Sequence, residues 1–178
     1  MVRLGLGSTM KSSRGLLLLL GFLYLGFIGY VVGSHDQLPE RVATHFNAAG
    51  EPNGWMSRAD QLAFMAGFGM AFPLFMIGIC WSVRFLPVWM INLPHKEYWL
   101  AKERRAESAD YVFRHSIWLG CLGLGFVIGL HWATTFSNQR QPVALPLEWV
   151  LSITGLFLVG VGAWVICLYR RFRSPDAA

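Results

Sequence analysis

Gly15-Leu16-Leu17-Leu18-Leu19-Leu20-Gly21-Phe22-Leu23-Tyr24-Leu25-Gly26-Phe27-Ile28-Gly29-Tyr30-Val31-Val32-Gly33 contains no Asp, Glu, Lys or Arg. It is close to the ~20 residues that a helix needs to cross about 30 Å of hydrocarbon. Three further runs, Leu62–Val83, Ser116–Phe136 and Trp149–Tyr169, share that property. A chain of 178 residues with 54% hydrophobic and 14% charged residues is too apolar for a soluble domain, whose charged fraction is roughly 25%. The expected fold is all-α and integral to a membrane: a bundle of four transmembrane helices over residues 15–33, 62–83, 116–136 and 149–169. Short tails at 1–14 and 170–178 flank it, the first read as disordered. The first run exceeds the 7–15 apolar residues of a signal peptide, so it reads as a retained span.

The net charge of +5 follows the topology. Arg3, Lys11 and Arg14 precede the first run; Arg84, Lys96, Lys102, Arg104, Arg105 and Arg114 fill the middle loop; Arg170, Arg171 and Arg173 end the chain. The other two loops hold only Arg41, Arg58 and Arg140. This alternation places both termini in the cytoplasm by the positive-inside rule. It also accounts for the basicity without nucleic acid, leaving the lipid bilayer as the first partner. Trp55, Trp132 and Trp149 fall at the outer interface and Trp81, Trp89, Trp99 and Trp118 at the inner one, as aromatic belts do. Cys80, Cys121 and Cys167 lie within the spans and read as small apolar packing residues.

Two polar stretches carry most of the remaining information. The outer one runs from Leu38 to Arg58. Val42–Asn47 reads as a short strand. Ala48–Gly54 reads as a turn, with Gly50 free to take positive φ, Pro52 fixing φ and Asn53-Gly54 as a hairpin signal. Ser57 reads as the N-cap of the second span, with Asp60 at its positive end. A compact extracytoplasmic hairpin results. The inner stretch, Asn92-Leu93-Pro94-His95-Lys96-Glu97-Tyr98-Trp99-Leu100, is a turn with aromatic anchors. A helix beginning near Lys102 then runs into the third span, supported by Asp110 and Arg114 at i, i+4. Pro73 is expected to kink the second span by crowding the carbonyl of Gly69.

Gly29 and Gly33, and separately Gly120, Gly123, Gly125 and Gly129, present small-residue faces that permit close helix contact, within the chain or in a homo-oligomer. No motif of a nucleophile, a zinc site or a P-loop is present, and no charge lies mid-span to mark a transport path. No catalytic residue, cofactor or metal is therefore assigned. His35, His45 and His131, with Asp36, Glu51 and Asp60, keep open an alternative of a metal-dependent envelope enzyme, and small-solute transport is a further alternative.

The pattern Leu38-Pro39, Thr44-His45-Phe46-Asn47, Gly50-Glu51-Pro52-Asn53-Gly54-Trp55 and Ser57-Arg58 resembles the signature of the bacterial domain of unknown function 1648. That domain also forms the N-terminal part of SdpI-type membrane proteins of toxin immunity and signalling. Asn92-Leu93-Pro94, Lys96-Glu97-Tyr98-Trp99-Leu100 and Glu103-Arg104-Arg105 resemble a second block of stand-alone members. The resemblance implies a topology and a set of interaction candidates rather than a reaction. They are His45, Asn47, Gly50, Pro52, Gly54 and Trp55 outside, and Asn92, Pro94, Tyr98, Trp99, Glu103, Arg104 and Arg105 inside. Partners on either face are expected. Nine residues follow the fourth run, so no SdpI-type C-terminal domain is expected. Most of the outer candidates are turn formers, which leaves His45, Asn47 and Trp55 for contact.

Overall fold

The computed structural model describes residues 6–173. Its elements in chain order are helix α1 (Leu6–Gly33), strands β1 (Arg41–Phe46) and β2 (Pro52–Ser57), and helices α2 (Arg58–Ser82), α3 (Lys96–Trp99), α4 (Arg105–Asn138) and α5 (Leu147–Arg171). Four of the helices are long and apolar enough to cross a membrane. The chain is a multi-pass membrane protein. Each observed helix extends beyond the apolar run that predicted it, because polar and charged residues at a span's ends continue the helix into the interface. Thus α1 starts at Leu6 within the expected tail and α5 ends at Arg171, while α4 starts at Arg105, three residues after the Lys102 start expected for the helix that runs into the third span. The remaining parts of the tails, residues 1–5 and 174–178, lie outside the described residues.

Helix α4 is the hub of the bundle, packing against α1, α2 and α5. Phe27, Val31, Met65, Leu124 and Val127 form the buried core where α1, α2 and α4 meet. Lipid tails are as apolar as these side chains, so close van der Waals packing rather than water exclusion must hold the helices. Glycines make that approach possible. The ring of Phe27 occupies the space where a side chain at Gly69 would stand. Gly120 and Gly123 receive Ile77 and Met76 of α2, while Gly129 receives Ile153 of α5. The glycines of α4 therefore serve two faces, not the one expected. Helix α2 passes through buried Pro73 without a break. The missing N–H of Pro73 leaves the Gly69 carbonyl without its usual helical donor. Tyr24 of α1 donates to the adjacent carbonyl, that of Met70, at 3.1 Å.

Helix α5 has no buried residue and is held to α4 from one side. Its firmest polar link is reciprocal. Trp164 Nε1 donates to the carbonyl of His115 at 2.8 Å, and His115 Nε2 donates to the carbonyl of Trp164 at 2.9 Å. The two rings stack at 4.8 Å.

Candidate functional site

The two dense motifs fold into two clusters, one at each end of α4. That helix is 34 residues long, so the clusters stand about 50 Å apart along its axis at 1.5 Å per residue. They do not form one site.

At one end, β1 and β2 pair antiparallel, with Arg41 opposite Ser57, Ala43 opposite Trp55 and Phe46 opposite Pro52. The turn differs from the expectation. Asn53-Gly54 lies inside β2, and Gly54 faces His45 at an irregularity in the register. A Cβ at Gly54 would stand 2.9 Å from that of His45, so glycine is needed there for close approach. The turn is instead organised by Asn47. Its Oδ1 accepts from the backbone N–H groups of Ala49 and Glu51, both at 2.9 Å, and its Nδ2 donates to the Glu51 carboxylate at 2.9 Å. Gly50 closes it at φ +79, the left-handed region that glycine enters without penalty. Ser57 caps α2 as expected, its Oγ accepting from Asp60 N at 3.1 Å and donating to Asp60 Oδ2 at 2.7 Å.

Two of the residues that fasten the hairpin to the bundle, Asn138 and Leu145, are ones that the sequence did not single out. Asn138, at the last position of α4, accepts from Ala43 N at 2.8 Å and donates to Ala43 O at 2.9 Å. One side chain thus acts as a neighbouring strand for the buried edge of β1. Leu145 N donates to Gly50 O at 2.9 Å, tying the loop between α4 and α5 to the turn. Arg58 donates to the carbonyls of Leu38 and His35, at 3.1 and 3.4 Å, and so closes the 3-10 turn His35–Gln37. Beneath the hairpin, Ser34 and His131 form a buried pair at 2.8 Å. Because Ser34 Oγ donates its proton to Val31 O, His131 Nε2 is the donor to Ser34. His131 Nδ1, Thr135 Oγ1 and Ser137 Oγ are buried beside this pair in sequence without a protein partner. Val42 and Ala43 are fully buried, whereas His45, Asn47 and Trp55 are exposed, Trp55 at 41% with Arg41 over its ring at 5.4 Å. Pro52 is half-buried at the start of β2.

The histidines and carboxylates of this face are dispersed among separate partners. His35 bonds Asp36 at 2.8 Å, and that hydrogen bond is the main reason the Asp36 carboxyl lies below its usual range. The contact therefore supports the fold above the ordinary carboxylate range and is lost as pH falls through the lowered value. Among the described residues, no group of three or more His, Cys, Asp and Glu side chains is placed to hold a metal ion.

At the other end, the inner motif ties the loop to the helix ends. Arg105 Nη2 donates to the carbonyl of Val83 at 3.2 Å, of Arg84 at 3.4 Å and of Leu86. These are acceptors left over where α2 ends, and a cation suits the negative end of a helix. Arg105→Met is expected to lower stability by about 2 kcal/mol, the range for hydrogen bonds to a charged group. Thermal unfolding in detergent checks this, with exposed Lys102→Met as the control that should not move. Arg84 in turn pairs with Asp110 and lies 4.2 Å over Trp81. Arg104 donates to Tyr98 O at 2.9 Å and covers the Tyr98 ring at 3.8 Å. Trp99 Nε1 donates to Arg173 O at 3.2 Å, which fastens the end of α5. Asn92 and Glu103 are exposed, and Pro94 is half-buried in the turn before α3. His95, at the N-cap of α3, holds φ 48, ψ 39. A left-handed conformation costs an L-residue roughly 1–2 kcal/mol, so His95→Gly is expected to raise stability by about 1 kcal/mol in the same melt.

Residues 16–70 match the family model of the Domain of unknown function (DUF1648), which spans most of α1, the hairpin and the first half of α2. An uncharacterized protein of Archaeoglobus fulgidus is 28% identical over 157 residues, covering 83% of this chain and 81% of that protein. No solved structure matches the chain. Asn138, Leu145 and the inner cluster lie beyond the matched segment. The hairpin inside the matched segment is therefore fastened to the end of α4 and to the loop that follows it, both outside that segment.

Proposed function

From a chain that belongs to the DUF1648 family through residues 16–70, we propose an interaction and signalling component of the cell's inner membrane, of the toxin-immunity-like kind, with both termini cytoplasmic. The distribution of basic residues supports the orientation, twelve on the proposed cytoplasmic side against three outside. One observation carries the functional reading. Helix α4 starts at Arg105 in the inner cluster and ends at Asn138 in the hairpin clamp. A load on the exposed face of the hairpin thus reaches the inner loop through one continuous rigid element. His45, Asn47 and Trp55 are the exposed outer contacts, and exposed Tyr98 and Glu103, with half-buried Arg104, the inner ones.

Photo-crosslinking in intact cells tests this reading. Trp55→Ala is expected to remove outer crosslinks and to alter those formed at Tyr98, with protein abundance unchanged. An identical partner set on both faces would reject it. Self-association through α1 is part of the proposal, since side chains at Gly26, Gly29 and Gly33 would meet nothing within 4 Å. Gly29→Ile should then abolish a crosslinked dimer; a dimer that persists excludes that face.

A further inference from the structure

At the end of the bundle opposite the hairpin, the chain passes from α2 to α4 through Phe85-Leu86-Pro87-Val88-Trp89-Met90-Ile91-Asn92-Leu93, a stretch without Asp, Glu, Lys or Arg. We infer that residues 85–90 form a re-entrant wedge lying at the boundary between headgroups and acyl chains, with Phe85, Trp89 and Met90 in contact with lipid. The contact is with the bilayer itself and is independent of the signalling role.

Trp89 is 77% exposed and Phe85 66%, with Met90 exposed beside them, whereas Ile91 is buried and closes the segment against the protein. Large apolar side chains left together on a surface mark contact with a membrane or with another protein. The path of the chain favours the membrane. Phe85 N and Leu86 N both donate to Ser82 O, at 2.9 and 3.1 Å. The chain therefore turns sharply off α2 and stays about one helical turn, roughly 5.4 Å, from the last residue of that span. Arg105, the first residue of α4, reaches back to the same turn. The segment thus lies between the ends of two spans, where hydrocarbon gives way to headgroups.

The backbone supplies the second, independent argument. Non-helical backbone is tolerated at membrane depth only where the protein itself bonds its polar groups. Through most of the segment it does. Met90 N donates to Pro87 O at 3.0 Å and Ile91 N to Val88 O at 3.1 Å, in the 3-10 turn Val88–Met90. Pro87 has no N–H to satisfy. The carbonyls of Val83, Arg84 and Leu86 accept from Arg105, and that of Trp89 accepts from Lys96 Nζ at 3.5 Å. A loop facing water leaves such carbonyls to solvent; here two cationic side chains are committed to them. The charge nearest the wedge is also hidden from lipid: the Arg84 side chain is 8% exposed, pairs with Asp110 and lies 4.2 Å over the Trp81 ring. A docked protein could pair with bare carbonyls of its own accord, so the satisfied backbone selects lipid. Because Arg105 also begins α4, the depth of the wedge and that helix end are held together.

Spin labels test the wedge on the full chain in vesicles of phosphatidylethanolamine and phosphatidylglycerol, with Cys80, Cys121 and Cys167 replaced by alanine. A label at Met90→Cys should relax faster with oxygen than with a water-soluble nickel complex, as should one at exposed Phe75→Cys within α2. Its depth should be about 5–10 Å into the boundary region, as for an interfacial segment. A label at exposed Lys102→Cys should show the reverse preference. Should the cysteine-free chain not fold, Trp89→Phe in the otherwise native chain decides it. Removing this one of eight tryptophans should reduce the emission quenched by brominated lipid and leave the emission quenched by iodide unchanged. Nickel access at Met90 equal to that at Lys102 overturns the inference, because the loop then faces water. A Met90 label shielded from both reagents overturns it in favour of a protein contact. Loss of the iodide-quenched emission in Trp89→Phe, with the bromine-quenched part intact, overturns it as well.

Discussion

Asn138→Ala is expected to release the hairpin from the bundle at a cost of about 3 kcal/mol. The side chain fills both hydrogen-bonding positions of Ala43, whose residue is fully buried. Alanine restores neither bond and leaves a buried N–H and a buried carbonyl without partners, at about 1–3 kcal/mol for each orphaned group. It also ends the Nδ2 bond to Thr134 O. The effect should be local first, because β1 and β2 keep their mutual pairing. Hydrogen exchange reports it directly: protection of the Ala43 amide should fall by about two orders of magnitude, while the amides of Phe27 and Val127 in the core hold theirs. Asn138→Asp separates the two halves of the clamp. It retains an acceptor for Ala43 N–H but sets a carboxylate oxygen against Ala43 O, so it should be no better than alanine. Unchanged exchange at Ala43 in both variants would mean that the hairpin stands without the clamp.

That clamp also marks where reading the sequence stops. The four spans are legible because a membrane demands long uncharged helical runs, which no other fold requires at this length. The hairpin is legible for a similar reason: β-branched and aromatic residues flank a cluster of turn formers between two spans. Ser57 is legible because an N-cap acts on its own helix, three residues away. The turn is legible at Gly50, which takes the positive φ expected of it, but not in its extent. Asn53-Gly54 is a strong local signal, but Gly54 serves a close approach to His45, while the side chain of Asn47 builds the turn. Local pattern cannot distinguish a glycine needed for its φ from one needed for its missing Cβ. Asn138 was illegible altogether. A lone Asn ending a helix looks like an ordinary polar terminus, and its partner Ala43 lies 95 residues earlier. Arg105 belongs to the same class, since the carbonyls it satisfies come from the end of another helix. Contacts between a side chain and a distant backbone leave no periodicity and no spacing. They carry the docking of both motifs all the same.

Gly50→Ala should be the most disruptive single-atom change in the outer cluster, again about 3 kcal/mol, through two separable causes. The first is backbone conformation. Gly50 sits at φ +79, where an L-residue incurs roughly 1–2 kcal/mol. The second is space. A Cβ at this position would collide with the Leu145 carbonyl, so the loop between α4 and α5 must withdraw and the bond from Leu145 N to Gly50 O, worth about 1 kcal/mol, is lost. Gly50→Asn distinguishes the causes, because Asn tolerates the left-handed region better than Ala but carries the same Cβ. If the collision dominates, the two variants should be equally impaired; if φ dominates, Asn should recover most of the loss. The readout is tryptic cleavage after exposed Arg140, in the loop that Leu145 anchors. Where cleavage follows the population of the open loop, a loss of this size corresponds to a rate increase on the order of a hundredfold. A Gly50→Ala protein cut at the parental rate would show that the hairpin turn and the loop between α4 and α5 are not coupled through this residue. The clamp of Asn138 on Ala43 would then be the tie that holds the hairpin to α4.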